Sequence, residues 1–176
     1  MKSLLSLSAL LFFIMASCGP TATPEQTKET QSEPTTTETL APNFVSTDVE
    51  INASKSRVWE IITNPAYAKI LGAEFDKNAF MESDYKLGSR VYFKYEPDRV
   101  VTTGTITKLT KEEYIQIDYS FPGGFEYTER ISIEENQNGI TLKIYAGPYT
   151  EDLEAQKIVW KNWLLKVKEL SETETL

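Results

Sequence analysis

A single carboxylate, Glu129, stands inside an apolar rhythm. Phe125, Tyr127, Ile131 and Ile133 recur at every second or fourth position, and Glu129 falls in the same phase. Alternate side chains of a strand share a face, so this carboxylate is expected on the buried side, where burial raises a carboxyl pKa. Such a group suits a polar anchor that orients a ligand, or residual acid–base work. The competing expectation is structural: a bulge, or pairing with Arg130 or Arg90. Little else in the chain offers chemistry. There is no histidine and one cysteine, Cys18. Ser-His and Cys-His nucleophilic sites, imidazole or thiolate zinc sites and the commonest general base are therefore excluded. Gly123-Gly124 sits in a hairpin signal after Pro122 rather than between a strand and a helix, so it forms no phosphate loop. Carboxylates and tyrosines remain. No catalytic residue, metal or cofactor is assigned.

The second group with chemical meaning is aromatic. Phe80, Phe93, Tyr95, Tyr119, Phe121, Tyr127, Trp160 and Trp163 either line a pocket or form plain core. Ile117 and Leu142, on strands expected to oppose the closing helix, join them as candidate ligand contacts beside Glu129.

These residues need elements to hold them. Phe44 to Ile51 alternates as a half-buried strand. Ser54 or Ser56 can cap a short helix carrying Val58, Trp59, Ile61 and Ile62, and Asn64-Pro65 ends it and starts a second, which stops at Gly72. Strands are then expected at Asn78 to Ser83, Ser89 to Glu96, Val100 to Leu109, Tyr114 to Phe121, Phe125 to Glu134 and Ile140 to Ala146. Pro122-Gly123-Gly124 turns one pair, and Asn138-Gly139 is expected to form a type I′ turn. A longer helix, Glu151 to Leu170, places Leu153, Trp160, Trp163, Leu164, Val167 and Leu170 near one stripe.

The N-terminal part is different in kind. Lys2 precedes an uncharged apolar run from Leu4 to Met15, the layout of a secretory signal and too short to span a bilayer. Met15-Ala16-Ser17-Cys18 resembles the lipobox of bacterial lipoproteins, with Met15 where Leu is preferred. That resemblance implies lipidation of Cys18, removal of residues 1–17 and a membrane anchor in the cell envelope, inner or outer left open. Several acyl chains attach stably, each buried CH₂ adding roughly 0.8 kcal/mol. Residues 19 to 43 are rich in Pro, Thr, Glu and Gln, with Leu40 almost the only large apolar side chain, and are expected to be a disordered tether. Residues 44–170 make one domain and 171–176 a polar tail. The formal charge is −8, but residues 44–170 hold 20 Asp and Glu against 16 Lys and Arg. No basic patch stands out, which argues against nucleic acid as a partner.

The order strand, two short helices, six strands, long helix resembles the helix-grip fold of the SRPBCC, or START-like, superfamily. The nearest branch is the one homologous to the heat-shock ATPase activator. The carrying stretches are Val49-Glu50-Ile51-Asn52-Ala53-Ser54, Val58-Trp59, Thr63-Asn64-Pro65, Leu87-Gly88, Gly104-Thr105-Ile106 with Leu109, and Trp163-Leu164. Asn162 stands where that branch often has Gly. The resemblance implies an α+β domain, a curved antiparallel sheet of about seven strands gripping the long C-terminal helix, with a cavity between them. It implies a hydrophobic small molecule or lipid as the partner. The alternatives are a polyketide cyclase or dehydratase-like enzyme using Glu and Tyr, and a protein-interaction module with a filled core.

Overall fold

The computed structural model describes residues 43–121 and 123–173. Cys18, the signal segment and nearly all of the tether lie outside the described residues. The element order is β1 (Val45–Ile51), α1 (Lys55–Thr63), α2 (Pro65–Gly72), β2 (Ala79–Glu82), β3 (Arg90–Tyr95), β4 (Arg99–Thr110), β5 (Tyr114–Ser120), β6 (Glu126–Asn136), β7 (Gly139–Gly147) and α3 (Leu153–Glu172). The α+β expectation of seven strands, two short helices and a long closing helix holds.

The local signals act as expected. Ser54 Oγ accepts the Arg57 N–H at 3.2 Å and opens α1. Asn64 ends α1, and its Oδ1 accepts the Ala66 N–H at 3.0 Å to start α2, with Pro65 at the first helical position where its missing N–H costs nothing. Gly72 closes α2 against β2: a Cβ there would lie 2.1 Å from the Ala79 carbonyl oxygen, so only glycine permits this approach.

All strand pairs are antiparallel, in the order β1-β7-β6-β5-β4-β3-β2. Register shifts between Phe93 and Lys94 and between Ile106 and Lys108 add local twist, which helps curl the sheet. The concave face presents Val91, Ile106, Ile115, Ile117, Ile133, Leu142 and Ile144, all buried, to Trp160, Trp163, Leu164 and Val167 of α3. Each such side chain contributes roughly 1.5–3 kcal/mol on burial, so this contact dominates the stability. The other face is polar. There Asp118 accepts from Thr107, Thr128 and Gln116.

Two expectations change in detail. The β6–β7 turn lies one residue earlier than Asn138-Gly139: Asn136 pairs with Gly139, and Asn136 Oδ1 accepts the Asn138 N–H at 2.8 Å. Asn138 has no positive φ, so the turn is not type I′. Gly139 is needed for a different reason, because a Cβ would stand 2.2 Å from the Ile51 carbonyl oxygen. The closing helix also runs to Glu172 rather than Leu170, and Ser171 in its last turn is buried. Its end is pinned by the Glu172 carboxylate, which accepts the Asn52 N–H at 2.7 Å.

Candidate functional site

β6 carries Glu129 inward without a bulge. Its register is continuous with Ile117 of β5 on one side and Ala146 of β7 on the other. Arg130 points to the opposite face, its guanidinium 4.7 Å from the Tyr145 ring centroid, and Arg90 hydrogen-bonds Thr105. Neither expected arginine pairing forms with Glu129.

Instead, tyrosines surround the carboxyl group. The Tyr119 hydroxyl donates to Glu129 Oε2 at 3.1 Å, and the Tyr127 ring lies 5.6 Å from the Tyr119 ring on the same face. Tyr127 and Tyr149 share a hydroxyl contact of 2.7 Å, and the Trp160 indole N–H donates to the Tyr149 hydroxyl at 2.6 Å. Tyr85, held at a left-handed φ of 50°, closes another side. Burial pushes Glu129 up to about 7, against the opposing pull of the Tyr119 and Tyr127 hydroxyls. Burial and the nearby carboxylate together push Tyr85 up to about 12 and Tyr119 well above its ordinary value. Glu129 is only partly exposed, and it lines the space between the sheet and the helices.

Two chambers meet at Glu129. The inner one, about 30 Å³, lies under α2 and α3 between Leu71, Tyr85, Ile117, Ile131, Trp160 and Trp163. The outer one, about 150 Å³, lies between Phe93, Thr102, Tyr119, Phe121, Tyr127 and Tyr149 and reaches Gln156. Phe75, Met81 and Glu129 border both. The walls are packed aromatic edges: Phe75 meets Trp160 at 4.9 Å and 83°, and Trp160 meets Trp163 at 5.8 Å and 72°. Neither chamber is lined by Lys or Arg. Among the described residues no cluster of Asp, Glu or Cys could hold a metal ion.

Of the residues singled out in the sequence, Phe93, Ile117, Tyr119, Phe121, Tyr127, Glu129, Trp160 and Trp163 come together around these chambers. Three do not. Phe80 turns to the other side of the short edge strand β2, opposite Lys94 and 5.9 Å from the Lys69 ammonium, and its neighbour Met81 takes the inward place. Tyr95 packs on Phe93 but lies past the end of the pocket under the Arg99 guanidinium, 4.8 Å from its ring centroid. Leu142 is fully buried between Val49 and Ile133 in solid core. Phe75, Met81, Tyr85, Tyr149 and Gln156 were not foreseen. All but Met81 and Gln156 lie in connections, where no alternation marks an inward side chain.

The family model for Activator of Hsp90 ATPase homolog 1-like protein matches residues 52–173. The chain belongs to that family. The family match and the curled antiparallel sheet around its closing helix agree with the SRPBCC resemblance. Solved structures share the fold at low identity. A Chromobacterium violaceum protein is 19% identical, covering 76% of this chain and 100% of that one, with a TM-score of 0.60. The Aha1 dimer from Colwellia psychrerythraea is 16% identical over 73% and 96% of the two chains, with a TM-score of 0.59. CalU16 from Micromonospora echinospora is 14% identical over 76% and 75%, with a TM-score of 0.52. No curated protein matches the chain.

Proposed function

We propose that this family member is a binding domain for a hydrophobic small molecule or lipid, taken up between the sheet and α3. The observation that carries the reading is the pair of chambers meeting at Glu129, walled by aromatic rings and furnished with one carboxyl group. The outer volume is similar to that of an engineered protein cavity that admits benzene, so a body of one or two rings suits it better than a diacyl chain. The aromatic walls supply the apolar contact, and the few polar groups fix orientation.

Acylation of Cys18 would hold the domain at an envelope membrane, with residues 19–43 as the spacer. Support comes from the lipobox-like Met15-Ala16-Ser17-Cys18 and from Cys18 being the chain's one cysteine. Replacing Cys18 with Ala should abolish incorporation of labelled fatty acid. Continued labelling would end that part of the proposal.

The pocket is tested with N-phenyl-1-naphthylamine, a neutral apolar dye, titrated into the full chain. Saturable enhancement of dye emission is expected. Met81→Trp should suppress it, because Met81 borders both chambers while its strand lies at the sheet edge, where a larger ring costs little stability. Linear, unsaturable emission would mean a filled interaction module instead. A second reading, proton transfer of the cyclase or dehydratase kind, is favoured by a carboxyl group poised at about 7 beside tyrosine hydroxyls.

A further inference from the structure

We infer that the ligand of this pocket is a lipophilic amine, whose ammonium group pairs with Glu129 where the two chambers meet. The inference rests on the binding reading above and adds the chemical class.

Hydrogen-bond direction is the first argument. An indole N–H only donates, so the Tyr149 oxygen accepts from Trp160. The Tyr149 hydroxyl keeps its own proton for the 2.7 Å contact with Tyr127, beside Glu129. Tyr119 donates directly to Glu129 Oε2. A hydroxyl donor at the carboxyl oxygen suits the ionised form, which only accepts.

Charge balance is the second. Buried charges are normally paired, because an isolated one is costly to hold away from water. The linings of the two chambers contain no Lys or Arg to pair with Glu129, and the chain has no histidine. The Tyr119 hydroxyl occupies only part of the acceptor capacity of a carboxylate. A cationic ligand group would supply the missing partner.

The walls are the third. Tyr119, Tyr127, Phe93, Phe75 and Trp160 line the space beside Glu129, and aromatic rings can take a cation over their faces. An anionic ligand would meet the opposite situation, repelled by the carboxylate with no donor cation to receive it. The net charge of −8 draws cations toward the chain as a whole.

A matched series sharing one apolar body tests this: 4-phenylbutylamine, 4-phenylbutan-1-ol and 4-phenylbutyrate. Each displaces N-phenyl-1-naphthylamine from the full chain at about pH 8, where both amine and Glu129 are charged. The amine should compete at least about tenfold better than the alcohol, as a charge-assisted hydrogen bond implies, and the carboxylate should be the poorest. Glu129→Gln, equal in shape, should erase the advantage of the amine over the alcohol. Equal amine and alcohol binding on the unaltered chain would overturn the inference without any variant, while binding of the alcohol would leave the pocket reading standing. An amine preference that survives Glu129→Gln would overturn the inference as well. If neither the dye nor any member binds, both readings fall together.

Discussion

The indole N–H of Trp160 lies 2.6 Å from the hydroxyl of Tyr149, joining the middle of the closing helix to the loop that precedes it. Trp160 is almost fully buried, so its N–H has no alternative in water. Trp160→Phe and Tyr149→Phe should each destabilise the fold. A double-mutant cycle should give a coupling of about 1 kcal/mol, the net worth of one buried hydrogen bond. Denaturant unfolding of the four proteins measures it, and strict additivity would mean that the contact contributes nothing.

Stability should fall with rising pH across a defined window. Burial raises Glu129 from an ordinary 4.5 to about 7, so between those values the folded chain binds more protons than the unfolded one. Its contribution is fully present below about 4.5, is lost as pH rises, and levels off above about 7. The loss is on the order of 3 kcal/mol. Glu129→Gln should flatten the profile in this window and stabilise the chain at about pH 8. Urea midpoints at several pH values test this, and a wild-type profile no steeper than that of the variant would contradict it.

Much of this architecture was legible in the sequence because turn residues and alternation agree along β3 to β7. Glu129 was legible for the same reason: a carboxylate in an apolar phase is conspicuous on a strand of 11 residues. Phe80 was misplaced because β2 has only four residues, too few for alternation to outweigh the choice of the larger ring. Tyr95 has the correct face but lies past the pocket's end, a matter of length rather than period. Phe75 and Tyr149 approach the site from connections, where tertiary contacts alone decide direction. The hydrogen bonds from Trp160 through Tyr149 to Tyr127 span α3, a loop and β6, and no local pattern encodes such a meeting.

Gly104 should not tolerate a methyl group. A Cβ there would stand 2.6 Å from Ile117 Cγ2 and 2.8 Å from the Tyr119 ring, its cross-strand partner. Gly104→Ala should cost roughly 1–3 kcal/mol by overpacking. It should also displace Tyr119 from Glu129, moving the pH window described above toward higher pH. Thermal melts at two pH values separate the two effects, and unchanged melting would show that the strands part freely.

Leu142→Phe gives a contrast with the pocket-blocking Met81→Trp. Leu142 lies in solid core, so the added ring should cost roughly 1–3 kcal/mol while dye affinity stays unchanged. Loss of dye binding without loss of stability would mean that the void extends under β7.

One short contact outside the pocket ties it to the chain's approach. The Tyr149 N–H donates to the Asn43 carbonyl oxygen at 2.8 Å, immediately before β1, and Val45 pairs with Ala146. Tyr149 therefore has two attachments, by its backbone to the strand entry and by its hydroxyl to the Glu129 network. Mechanical load arriving at residue 43 acts first on this residue. Tension there would peel β1 from β7 starting beside the outer chamber, pair by pair, while the distant Ile51–Ile140 pair and the clamped end of α3 still held. A load on residue 43 thus reaches the pocket mouth through Tyr149.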